Sequence, residues 1–275
     1  MEWWQAFVLG LVEGLTEFLP VSSTGHLILT ERLLGLSASA SAHAFAICIQ
    51  AGAVAAVLGL YFRRVRAMAL GMLGADPQGR RTALAVLVAF APAAVVGVAF
   101  DDAIEAKLFG LWPVVVAWFV GGAAILIVAR LRPARAQGAG LELEALSLRM
   151  AVLIGLCQCL ALWPGTSRSL ATIVGGVLVG LRLGAAVEFS FLLGLVTLSA
   201  ATAYKALDQG SAMLADYGPA PLAVGFLTAL VSAWVSVRWM VGYLERRGLE
   251  LFGYWRVALA LAVGLALWSG RLQSA

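Results

Sequence analysis

Charge is what this sequence has least of. Only 12% of its 275 residues are Asp, Glu, Lys or Arg, while 62% are hydrophobic. Soluble domains carry about 25% charged residues, so a water-soluble globular fold is excluded. Cysteine is scarce too, at 3 residues, and Cys48, Cys157 and Cys159 all lie in apolar segments. Cys157 and Cys159 stand two apart and so off a common helix face; neither a disulfide framework nor a thiolate metal site is expected. The alternation of a membrane β-barrel is missing. The N-terminal "MEWWQAFVLGLVEG" lacks a basic leader and a small-residue cleavage site, so no cleaved signal is expected. The formal net charge of +4 calls for no nucleic-acid partner, because arginines in a membrane protein report topology.

What is present is apolar length. Runs such as "TALAVLVAFAPAAVVGVAF" and "FLTALVSAWVSVRWM" suit a hydrocarbon core, which takes about 20 helical residues to cross. Six spans are expected, over 42–62, 82–100, 111–130, 184–204, 219–238 and 251–270. Basic residues cluster in 63–81 (Arg63, Arg64, Arg66, Arg80, Arg81), in 130–149 and in 238–250, whereas 101–110 has only Lys107 and 205–217 only Lys205. The Arg-rich connections are therefore assigned to the cytoplasm. Trp3, Trp4, Trp112 and Trp255 read as interfacial anchors. Gly121-Gly122 and Gly175-Gly176 read as close-packing devices, and such small-residue surfaces permit a homodimer.

This topology leaves 147–182 beginning and ending on the same side, although it is apolar and broken at Pro164-Gly165. The economical reading is a re-entrant hairpin of two half-helices. Residues 3–36 read the same way, broken at "LPVSST" and entering from the opposite, outer face. Pro20-Val21-Ser22-Ser23 matches Pro164-Gly165-Thr166-Ser167 at an offset of 144, as Phe45 matches Phe189, and Glu13 matches Gln158 after a one-residue slip. The expected fold is an all-α polytopic membrane protein, a single integral domain over 1–275. It comprises six transmembrane helices and two re-entrant hairpins, arranged as inverted-topology repeats over roughly 1–134 and 145–275. Non-helical backbone survives at membrane depth only when buried in protein or lining a wet cavity, so the hairpin tips mark the site.

The first tip, "EGLTEFLPVSSTGH", holds Glu13 and Glu17 four apart on one helix face. Such acids are expensive in a membrane unless paired, protonated or metal-bound; the pair suits a divalent cation or a general base. Ser22, Ser23 and Thr24 stand before a half-helix, where one of them is expected to cap it and Ser22 and Thr24 are candidates for binding phosphate. His26 follows Ser23 by one turn, so the nucleophile is Ser23, His26 or water. The second tip, "WPGTSRS", offers Thr166, Ser167, Arg168 and Ser169, a phosphate cradle at a half-helix N-terminus with a bidentate guanidinium. Gln50, Gln158 and Glu188 are candidate cavity-lining residues, and His43 reads as interfacial.

With both tips in hand, and with "FAICIQAGAVAAV" and "EFSFLLG", the chain resembles the undecaprenyl-diphosphate phosphatase (bacitracin-resistance) family over essentially its whole length. The resemblance implies a polyprenyl diphosphate substrate hydrolysed to the monophosphate and phosphate, with Glu13, Glu17, Ser23, His26 and Arg168 as the catalytic set. It also implies a divalent cation, Mg²⁺ or Ca²⁺, and a site open to the outer face of the bacterial inner membrane. Leu170 departs from the family pattern, which continues with glycine there; packing of the second half-helix is expected to feel this more than the chemistry. The competing reading is a transporter or flippase for an anionic lipid or solute, since broken helices in inverted repeats also serve transport.

Overall fold

Runs this apolar can satisfy their backbone in lipid only as helices, and the chain folds accordingly. The computed structural model describes residues 1–36, 40–131, 138–244 and 246–272. Helices α1 (Trp3–Thr16), α2 (Ser23–Leu33), α3 (Ala40–Leu60), α4 (Phe62–Met72), α5 (Pro77–Leu108) and α6 (Leu111–Leu131) are followed by α7 (Leu148–Cys159), α8 (Arg168–Leu178), α9 (Leu183–Tyr217), α10 (Pro219–Leu244) and α11 (Glu250–Trp268). Apart from one bridge between Leu141 and Leu181, no strand forms among the described residues.

Five helices, α5, α6, α9, α10 and α11, are long and apolar enough to cross a membrane. A sixth is reached if α3 and α4, bent 83° from each other after Leu60, count as one span. Helices α1 and α2, at 14 and 11 residues, are too short to cross at about 1.5 Å per residue. The same holds for α7 and α8, at 12 and 11 residues.

Two expected connections prove helical. The segment 101–110, read as a loop, continues α5 to Leu108 beyond a break at Phe100 (φ −125°, ψ 15°). The segment 205–217 extends α9 to Tyr217, where Gly218 (φ 73°) and Pro219 end it. Its Lys, Ala, Leu, Gln and Met are strong helix formers that a search for apolar runs passes over. Within 63–81, Arg63, Arg64 and Arg66 ride on α4 and Arg80 and Arg81 on the first turns of α5, which starts with an Asp76 cap accepting from the Gly79 N–H at 2.8 Å. Arg132 and Arg135 lie outside the described residues.

Helices exchange partners between the halves: α1 packs on α10, and α7 packs on α5. Lipid offers no hydrophobic drive for this, so close backbone approach supplies the attraction. A Cβ on Gly10 would fall 2.4 Å from Gly225 O, and one on Gly155 2.4 Å from Ala89 O. Ser236 Oγ donates to Gly14 O at 2.8 Å across the first contact. The two short pairs α1–α2 and α7–α8 are thereby wedged into the bundle with their bends facing each other.

A candidate active site where two broken helices meet

Each bend leaves carbonyls that a helix would have used, and an unmet one in lipid costs several kcal/mol. Leu19 O accepts from Ser169 Oγ at 2.8 Å. Val21 O takes the Trp118 indole N–H at 3.1 Å. Arg256 donates to Pro20 O at 3.4 Å and to Gly165 O at 2.8 Å. The two bends reach the same backbone solution: Ser22 (φ 74°) and Ser167 (φ 75°) are the only non-glycine residues with positive φ among those described. Such a conformation is strained for serine and persists only where its surroundings impose it. These residues, 145 apart, immediately precede α2 and α8, so Ser23 and Arg168 take the same first position in their half-helices.

Glu17 is the hub between the tips. Its Oε2 accepts from Ser23 Oγ at 2.5 Å and from Gln50 Nε2 at 3.1 Å, and its Oε1 accepts from Arg168 Nη2 at 3.0 Å. Arg168 also donates from Nη1 to Ser190 O at 2.9 Å and lies 5.1 Å above the Phe18 ring. Gly194 leaves it room; a Cβ there would meet Nη1 at 2.5 Å. Glu13, one turn before Glu17, is fully buried, and neither carboxylate oxygen has a hydrogen-bonding partner among the described residues.

These groups open on a cavity of about 560 Å³ lined by Glu13, Glu17, Ser22, Ser23, Thr24 and Gln50 from the first half and by Gln158, Ser167 and Arg168 from the second. Much of the remaining wall is apolar, including Phe90, Ala93, Ala94, Gly97 and Val98 of α5. Ser22 makes no capping bond to α2, whereas Ser167 Oγ caps α8 through the Leu170 N–H at 3.2 Å. The expected cap at the first tip is therefore absent, and the N-terminal N–H groups of α2 stay available to an anion. Leu170 is buried in the core, as a packing rather than chemical departure requires.

Other residues are placed differently from the sequence reading. His26 does not line the cavity: its Nδ1–H donates to Ser22 O at 2.7 Å, and Nε2 accepts the Trp255 indole N–H at 3.1 Å. The hydroxyl of Ser23 faces Glu17, not His26. Ser169 is fully buried against Leu19 O, and Thr166 is absent from the cavity wall. Glu188 does not line the cavity either, because it holds Arg64 of α4 at 2.6 Å. The His43 side chain is outside the described residues.

Two kinds of residue escaped the sequence reading. Phe18, Ser190 and Gly194 seat Arg168 but carry no signal beyond ordinary apolar or small-residue composition. Arg256 did carry one, as a charge within the apolar stretch "LFGYWRVALALAVGLALW"; loop-based charge counting passed over it.

The family model described as bacitracin resistance protein BacA matches residues 6–262. The undecaprenyl-diphosphatase of Sorangium cellulosum is 46% identical, covering 98% of this chain and 86% of its own length. Undecaprenyl-diphosphatase 2 of Rhodospirillum rubrum is 45% identical over 97% of this chain and 95% of its own, and the undecaprenyl-diphosphatase of Rhodopseudomonas palustris strain BisB18 is 43% identical over 94% and 97%. With the family model matched over residues 6–262 and relatives of 43–46% identity covering nearly the whole chain, the chain belongs to the bacitracin resistance protein BacA family.

Proposed function

We propose that the chain is an integral membrane phosphatase that hydrolyses undecaprenyl diphosphate to undecaprenyl phosphate and inorganic phosphate, which recycles a cell-wall lipid carrier and confers bacitracin resistance. The observation that carries the reaction is the 2.5 Å contact of Ser23 Oγ with a Glu17 carboxylate that Arg168 holds in place. Family membership supplies the substrate.

The diphosphate sits between Arg168 and the open N-terminus of α2, with the prenyl tail along the apolar α5 wall. Ser23 Oγ attacks the terminal phosphorus and passes its proton to Glu17. The bond from that phosphorus to the bridging oxygen breaks, and the lipid monophosphate leaves. Glu17 gives that proton to the departing monophosphate, and its freed carboxylate then takes one from water, whose oxygen attacks the phosphoserine. The bond from phosphorus to Ser23 Oγ breaks, Glu17 returns a proton to Oγ, and phosphate is released. Phosphoryl transfer depends chiefly on positioning and charge neutralisation, which Arg168 and the α2 N–H groups supply. His26 has both ring nitrogens engaged away from the cavity, which favours Ser23 as nucleophile.

A divalent cation, Mg²⁺ or Ca²⁺, fits the same site, since Glu13 offers a fully buried carboxylate without a protein partner. The described residues contain no group of three or more His, Cys, Asp or Glu side chains suited to a metal. Glu13 and Glu17 would hold the ion together with substrate oxygens, as Mg²⁺ sites commonly do. Bound there, it supplies neutralisation of the diphosphate charge.

The halves are read as inverted repeats in the bacterial inner membrane, with the cavity opening outward. The matched Ser22 and Ser167 conformations support the repeat. The cavity reaches Asp101, just past the α5 break, and Tyr204 and Lys205 within the C-terminal half of α9, stretches without arginine, which supports the outward opening. Purified protein given undecaprenyl diphosphate with Mg²⁺ or Ca²⁺ is expected to release phosphate, and Ser23→Ala to release almost none. Wild-type protein that releases none overturns the reading.

A further inference from the structure

Arg256 takes no part in the steps above, yet two of its nitrogens, Nη1 and Nη2, are committed beside them while Nε has no partner among the described residues. It is fully buried in α11, and no carboxylate pairs with it among the described residues. A charge at such a place is costly and is kept where it does work for the fold or the reaction. Its donors serve three carbonyls from three elements: Pro20 of the first tip, Gly165 of the second and Ala117 of α6. Pro20 and Gly165 each stand two residues before the positive-φ serine of their tip, so they are matching positions of the two halves. One guanidinium thus bridges the two bends at equivalent points. The adjoining Trp255 ties α11 to α2 again through His26. Gly121 keeps the space clear, because a Cβ there would fall 2.2 Å from Nη2.

We propose that Arg256 is a positioning residue of the hydrolysis: it clamps the two tips together from behind and so sets how Ser23 and Glu17 face Arg168. The inference rests on the proposed phosphatase reading. Lysine keeps the charge but lacks the planar fork that reaches two tips at once. Gly121→Ala keeps the guanidinium but displaces it.

The test is steady-state kinetics on undecaprenyl diphosphate, per molecule of folded protein, for Arg256→Lys and Gly121→Ala. Gly242→Ala, where a Cβ would meet nothing within 4 Å, is the control. Both variants are expected to lose at least about tenfold in kcat with KM within about threefold, since small misplacements of reacting groups carry such penalties. If Arg256→Lys does not fold, Gly121→Ala decides. Folded variants with wild-type kcat overturn the clamp, and so does a loss confined to KM, which would make Arg256 a charge for binding. Wild-type protein without activity would instead sink the phosphatase reading itself.

Discussion

The two hairpins solve one backbone problem and divide one chemical problem. Each breaks at a serine held near φ 75° and restarts as an 11-residue half-helix. At the first position of those half-helices one carries Ser23 and the other Arg168. One turn before its bend the first has buried Glu13; at the matching place the second has Gln158, also buried. In the proposed reaction the acidic tip supplies nucleophile and base, and the basic tip supplies the counter-charge. Neither is complete alone, which explains why Glu17 accepts from both Ser23 and Arg168.

Removing one side of that division should have the largest effect. Arg168→Ala is expected to lower kcat/KM by about 10³-fold or more, as loss of a phosphate-stabilising arginine does, and Glu17→Gln by about 10²–10⁴-fold, as loss of a general base does. Because the two groups touch, the double variant should lose far less than the product of the single losses; full multiplicativity would break the comparison. Next comes Gly194→Ala, which leaves every polar group in place and only crowds Arg168. A drop of about 10²-fold in kcat is expected from the misplacement, and unchanged kinetics would show that the seat of Arg168 is not needed. The smallest effect belongs to Ser169→Ala. It leaves Leu19 O with weaker support from Ser167 Oγ, at 3.5 Å, and should lower stability by about 1–3 kcal/mol in a denaturation measurement, with kcat per folded molecule nearly preserved.

Much of this was legible in the sequence, for physical reasons that also mark where legibility stopped. Long apolar runs gave the helices, because lipid allows little else. Pro20 and Pro164-Gly165 gave the bends, and charges in apolar surroundings singled out Glu13, Glu17 and Arg168. Helix ends were less visible: residues 205–217 are polar enough to read as a loop yet have strong helical propensity. Side-chain direction was hidden as well. Spacing alone put His26 one turn from Ser23, but the turn carries the imidazole toward Trp255 while the hydroxyl meets Glu17. The 144-residue register read from Pro20 and Pro164 also differs by one from the backbone register of 145, in which Pro20 matches Gly165, as the dihedral angles reveal.

The central claim, that Ser23 attacks with Glu17 taking its proton, is tested most directly by trapping the enzyme during turnover. Wild-type protein mixed with terminally labelled undecaprenyl diphosphate, quenched rapidly and mapped by mass spectrometry, should carry phosphoserine at Ser23. Label on His26, or steady turnover with no phosphoenzyme at any quench time, would contradict it.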